Sequence, residues 1–182
     1  MLRYAKERAK SIGRGSSRIA FEIPYEGRKT VLKIAMNGKG LVQNEEEANL
    51  LSDYYVRSLD ITIPIIDYDE SSEHRVSWVH TEFAEKMKSI KALEKFFGGV
   101  SIYDITNYLN NRTGELPEWI HENEYFSSLQ NLIINYNLPA NEYTTASNWG
   151  LYKGKPVIID LGFTRRTKEL YFPPKPLYNR YL

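Results

Sequence analysis

A change of hydrophobic period near residue 85 constrains this chain more than any single residue does. Before that point the order reads strand, strand, helix, strand, strand, and after it apolar residues recur mostly at the threes and fours of helices. "RIAFEIPY" and "KTVLKIAM" are strand-like runs joined by "EGR", which predicts a hairpin. "LVQNEEEANLLSDYYVRSL" predicts one helix, with Leu41, Ala48, Leu51 and Tyr55 near one stripe. "ITIPIIDYD" and "RVSWVHTEF", separated by the turn-forming "ESSEH", predict two more strands. Upstream, "LRYAKERAKSI" reads as a short helix and "GRGSSR" as a turn.

Beyond the change of period, "EKMKSIKALEKFF" is amphipathic, "SIYDITNYLNNRT" is a helix with Ser101 placed to cap it, and "ENEYFSSLQNLIINYNL" carries Phe126, Leu129, Leu132, Ile133 and Tyr136 on one stripe. A small hairpin follows, "WGLY" and "PVIID" turned by "KGK". The Pro- and Tyr-rich tail "KELYFPPKPLYNRYL" favours an extended course, either packed on the body or docked on a partner. The fold class is therefore α+β, an antiparallel sheet with one packed helix over residues 1–84 followed by a mostly helical unit with a small hairpin over residues 85–182.

Composition removes several chemistries. The 182 residues contain no cysteine and three histidines, His74, His80 and His121, which argues against thiolate metal sites, a Cys nucleophile and Ser-His-Asp catalysis. A formal charge of +1 gives no net pull toward nucleic acid. No apolar run approaches the roughly 20 residues of a membrane span, and "MLRYAKERAK" lacks the apolar region of a secretory signal, so the expected compartment is cytoplasmic.

The chemistry-bearing residues are spread along the chain. Gly13 and Gly15 precede a strand, where they permit close approach to phosphates or simply make a turn. Lys33 lies inside the apolar strand "TVLKIA", where an ammonium is either solvent-facing or in need of an anionic partner. Glu47 is that partner by position, since it precedes Leu50 and Leu51 by a helical turn and shares their face; Glu45 and Glu46 belong to a solvated face. Backbone groups at Glu82 and Ala84 end a strand between the two halves, a natural place for a ligand such as adenine. Asp160, two residues before Gly162, stands where a carboxylate can hold Mg²⁺ or make a β-turn, and Asn148 offers a neutral oxygen nearby.

Taken in this order, the "GRGSSR" turn, the lysine of "VLKIA", the helix glutamate, "TEFA", Asn148 and Asp-Leu-Gly at Asp160 to Gly162 resemble the protein kinase fold and its small-molecule phosphotransferase relatives. The resemblance covers roughly residues 11–164 and implies two lobes, the second truncated. More loosely, "SNWG…PVIIDLGFT" is similar to small kinase-like proteins of tailed bacteriophages, which would place the chain in a host cytoplasm. The resemblance implies ATP and Mg²⁺ as cofactors. Lys33 would bind phosphates and pair with Glu47, Asp160 and Asn148 would hold the metal, and Gly13, Gly15, Arg18, Glu82 and Ala84 would line the nucleotide.

The chain departs from the family in three places. Tyr143 stands at the spacing of the catalytic-loop aspartate, so Glu142, one residue displaced, is the candidate replacement or else a solvated loop carboxylate. Arg18 occupies the place of the third glycine, either touching phosphate or closing the cleft. About twenty residues follow Gly162, too few for a peptide-substrate platform. The expected activity is phosphoryl transfer to a protein or small-molecule acceptor, with a catalytically inactive, pseudokinase-type binding module or a phage structural or assembly component as alternatives.

Overall fold

Two neighbouring residues of positive φ, Glu26 at 48° and Gly27 at 75°, reverse the chain between its two longest strands. That geometry matches the twist of a tight hairpin. It joins β2 (Arg18–Tyr25) to β3 (Arg28–Ala35) in an unbroken antiparallel register from Arg18↔Ala35 to Tyr25↔Arg28. The computed structural model describes Ala5, Glu7 and residues 9–70, 75–111 and 115–171. His74 and the tail beyond Tyr171 lie outside the described residues.

Three expectations for the first half need correction. Residues 10–14, read as helix end and turn, form strand β1 (Lys10–Arg14), paired with β2 through a bulge at Ser11/Gly13. All five of its residues are exposed, so no apolar alternation marked it. The helix expected over residues 41–59 starts earlier and breaks at Asp53, giving α1 (Gly38–Ser52) and α2 (Tyr54–Ser58). Asp53 adopts extended φ and ψ and accepts hydrogen bonds from the Tyr55 and Val56 amides, as an N-cap does. The expected long strands shorten to β4 (Ile65–Tyr68) and β5 (Trp78–Glu82), completing an antiparallel sheet of order β1-β2-β3-β5-β4.

The second half begins with another correction. Glu85 and Lys86, placed in an amphipathic helix, form β6 (Glu85–Lys86), and the helix itself is only α3 (Ile90–Glu94) followed by one 3₁₀ turn over Lys95–Phe97. Two helices follow as expected, α4 (Ile102–Asn111) and α5 (Glu124–Asn135), with the Tyr103 amide donating to Ser101 Oγ at 3.2 Å. The α5 stripe buries Phe126, Leu129, Leu132 and Ile133. A short α6 (Ala140–Tyr143) comes next, and then the small hairpin, β7 (Trp149–Tyr152) and β8 (Lys155–Ile158), which pairs with β6 in a three-stranded sheet. Residues from Arg165, part of which were read as an extended tail, form α7 (Arg165–Tyr171).

Alternation along β2 and β3 separates two apolar regions. Ile19, Phe21, Leu32 and Ile34 gather with Ala5 in a small cluster. The larger core takes Leu50 and Leu51 of α1, Ile61 and Ile63, and the buried residues of α5, β7 and β8, so it runs across residue 84. Ile61 and Ile63 join that core through backbone bonds to both sides of Ile158, with Ile158 N–H donating to Ile61 O at 2.7 Å and Ile63 N–H to Ile158 O at 3.0 Å. Among the described residues no helix is long and apolar enough to cross a membrane.

Candidate functional site

The site begins where α1 is stitched to the start of β2. Asn37 caps α1 by accepting from the Gly40 amide at 3.1 Å, and its own amide group donates to Ser16 O at 2.9 Å. Met36 N–H donates to Ser17 O at 2.8 Å, and Ser17 Oγ donates to Gln43 Oε1 at 2.5 Å. Gly40 makes this approach possible, because a Cβ there would collide with the Ser17 carbonyl oxygen. The glycines singled out from the sequence are not tight in this way: a Cβ at Gly13 or Gly15 would make only ordinary contacts at 3.9 Å.

With α1 anchored, Arg18 projects between the helix and the residues after β8. Its Nη1 donates to Asn44 Oδ1 at 3.2 Å and to Glu47 Oε2, and its Nη2 donates to Asp160 Oδ1 at 2.5 Å. Lys33, paired with Ala20 across the sheet, donates from Nζ to Glu47 Oε1 and to Ile159 O at 2.5 Å. Glu47 is fully buried and serves both cations. The expected Lys33–Glu47 pair is therefore formed, and a second cation joins it. Glu45 and Glu46 are not on an open face: Arg166 of α7 bridges both, and Thr164 Oγ1 donates to Glu46 at 2.7 Å.

Asp160 lies two residues beyond β8, in irregular backbone, with 45% of its side chain exposed. Burial alone would raise its carboxyl, but the charges of Arg18 and Lys33 and the Gly162 N–H outweigh it and hold the group below the usual carboxylate range. Burial likewise works against the Arg18 guanidinium, and Asp160 and Glu47 more than compensate, so its pKa is raised. Gly162 is required by proximity: a Cβ there would stand 2.7 Å from Gln43 O and 2.9 Å from Arg18 Nη1.

These residues border a cavity of about 580 Å³. Of the expected site residues, Gly13, Gly15, Arg18, Lys33, Glu82, Ala84, Asn148 and Asp160 line it. Glu47 stands behind Lys33 and Arg18 rather than in the wall. Glu82 turns its carboxylate away to Arg28, which donates to it from Nε at 3.2 Å, and its amide donates to Pro64 O at 3.0 Å. Gly150 allows β7 to lie against this wall, since a Cβ would come within 2.9 Å of Ala84 Cβ and Glu85 O. Sequence reading missed Val31, Ile63, Thr81 and Ile159, whose apolar and small side chains form the walls; alternation in β3 and β5 is the signal that could have found Val31 and Thr81.

The loop before Asn148 holds Glu142 and Tyr143 in different roles. Tyr143 is fully buried and its hydroxyl donates to Leu161 O at 3.3 Å and Phe163 O at 3.1 Å, while its carbonyl accepts from the Trp149 indole at 2.8 Å. It ties the loop to the segment after Asp160. Glu142 is half-buried and is not in the cavity wall. Burial, and then the charge of Asp160, raise its carboxyl above the ordinary value, against a smaller pull from Lys168. Asn148 donates from Nδ2 to Glu142 O at 2.7 Å, so its side-chain oxygen, and not its nitrogen, is the atom that could face a metal.

Among the described residues no three His, Asp or Glu side chains converge to hold a metal by themselves. One carboxylate and one amide oxygen are nevertheless the hard donors that suit Mg²⁺, which usually takes one or two carboxylates and completes its shell with water and phosphate. Asp160 and Asn148 thus fit the metal, with Arg18 already seated on one Asp160 oxygen.

No family model and no curated protein sequence matches the chain. Among solved structures it is similar to the aminoglycoside phosphotransferase APH(4)-Ia at 15% identity and a TM-score of 0.33, over 60% of this chain and 36% of that one. A thermostable mutant of that enzyme in ternary complex with ADP and hygromycin B gives 10% identity and a TM-score of 0.39, over 89% of this chain and 70% of the other. The chain spans about a third of the length of the first of these enzymes.

Proposed function

We propose that the chain is a two-lobed, kinase-like phosphotransferase, with residues 1–84 and 85–182 as its lobes, that transfers the γ-phosphoryl group of ATP to a protein or small-molecule acceptor. The observation that carries this reading is the convergence of Lys33, Glu47 and Asp160 beside one cavity that residues 82–84 also line. Lys33 and Arg18 offer positive charge to the phosphates, and Glu47 holds both cations in place. The wall from Thr81 to Ala84 receives the adenine. Asp160 and Asn148 would hold Mg²⁺, which would supply positive charge beside the transferred group. Glu142, whose raised pKa brings it nearer to neutral pH, orients the acceptor hydroxyl and accepts its proton.

Glu142 standing outside the cavity wall favours a second reading, a nucleotide-binding module without transfer activity. A thermal-shift titration with Mg-ATP and a γ-phosphate transfer assay separate the two. The phosphotransferase reading expects a rise in melting temperature, transfer to an added acceptor, and loss of transfer in Asp160→Ala and Glu142→Gln. Binding without any transfer supports the second reading, and no nucleotide-dependent shift overturns both.

A further inference from the structure

We propose that Arg18, and not a divalent cation, supplies the positive charge at Asp160 when a nucleoside triphosphate enters this cleft, so that the binding step needs no metal. The inference rests on the nucleotide-site reading and assigns the metal to the transfer step alone.

Four groups make the cluster: the cations Arg18 and Lys33 and the carboxylates Glu47 and Asp160. Their charges sum to zero, so the cluster is balanced by the chain's own side chains. A guanidinium stays charged at every accessible pH and is less strongly hydrated than an ammonium, which suits it to this buried position. Arg18 is only 9% exposed and is held from α1 and from the segment after β8. Asn44 and Glu47 take Nη1, Asp160 takes Nη2, and the missing Cβ of Gly162 leaves the space the guanidinium fills.

Arg18 nevertheless borders the cavity. Three of its five N–H donors are bonded, so the Nε–H and one Nη2–H have no partner among the described residues. Those two donors are what a phosphate oxygen needs, and guanidinium–phosphate contacts are charge-assisted. The wall adds Arg14, Lys33, Lys39 and Lys86, against the carboxylates Glu22, Glu82 and Asp160, so the cleft carries more positive than negative side chains. A dication approaching Asp160 meets a guanidinium bonded to one of the same carboxylate's oxygens, and like charges at that range repel. An incoming polyphosphate relieves that repulsion, which is why the metal gains its place after the nucleotide and not before it.

The test is calorimetric titration of the full chain with ATP, once with Mg²⁺ and once with EDTA, for the parent, R18M and R18K. The parent is expected to bind with affinities within about threefold in the two buffers. R18M is expected to bind at least about tenfold more weakly than the parent in EDTA and to recover most of that loss with Mg²⁺. R18K keeps the charge without the planar fork and should fall between them. Parent binding that is about tenfold or more tighter with Mg²⁺ overturns this inference while leaving the nucleotide site standing. So does R18M binding as well as the parent in EDTA. Absence of binding in both buffers overturns the inference and the nucleotide site together. The comparison of buffers on the parent chain decides the matter even where a variant fails to fold.

Discussion

Replacing Glu47 by glutamine keeps the volume of the side chain and removes the one charge on which two buried cations converge. Lys33 and Arg18 side chains are each 10% exposed and Glu47 is fully buried, so water cannot substitute for the lost carboxylate. Breaking a buried ion pair from one side costs about 3–5 kcal/mol. Here the cost falls near the lower end, about 3 kcal/mol, because Arg18 retains Asp160 and Lys33 retains Ile159 O. For a chain of this length that corresponds to a fall in melting temperature of roughly 6–12 °C. Urea unfolding of Glu47→Gln, Lys33→Met and the double variant measures the loss and the coupling between the two positions. If Glu47→Gln costs less than about 1 kcal/mol, or the single losses simply add, the cluster is solvated and the reasoning from its burial fails.

Two other outcomes are expected. Gly40→Ala forces a Cβ onto the Ser17 carbonyl and should cost about 1–3 kcal/mol in chemical denaturation, the range for overpacking; a neutral result would mean that α1 is not seated against Ser17. Because the folded pKa of Glu142 is raised above its unfolded value, its neutral form favours the fold, and that contribution is lost as pH climbs from the ordinary carboxyl value through the folded one. Melting temperatures of the parent and Glu142→Gln should therefore diverge in favour of the variant as pH rises above the ordinary carboxyl range, and parallel profiles would refute the burial of that carboxyl.

What the sequence revealed depended on whether the signal was local. The β2–β3 hairpin, the helix bearing Glu47, the α5 stripe and the final hairpin each carry their own period and turn residues, and all were legible. Strand β1 was not, since its exposed residues show no alternation and its identity comes only from pairing with β2. Residues 85 and 86 pair with β7 more than sixty positions later, which a local helical pattern conceals. The spacing of Lys33 and Glu47 led to a correct juxtaposition, whereas Tyr143, read only as a missing aspartate, is a buried brace between two loops. Arg18 was flagged at the right place, but its three partners come from α1 and from beyond β8 and have no local signature.

The bond from Arg18 to Asp160 joins positions 142 apart in sequence, and Arg166 then closes over Glu45 and Glu46 from 120 and 121 positions away. Contacts of such separation carry the loop-closure entropy that slows folding. During synthesis, the strands and the helix that supply Lys33 and Glu47 leave the ribosome long before Asp160 is made. Until Asp160 is made, Glu47 is the one carboxylate of this cluster available to Arg18 and Lys33. A fragment cut before residue 160 therefore keeps two cations of the cluster and only one of its carboxylates.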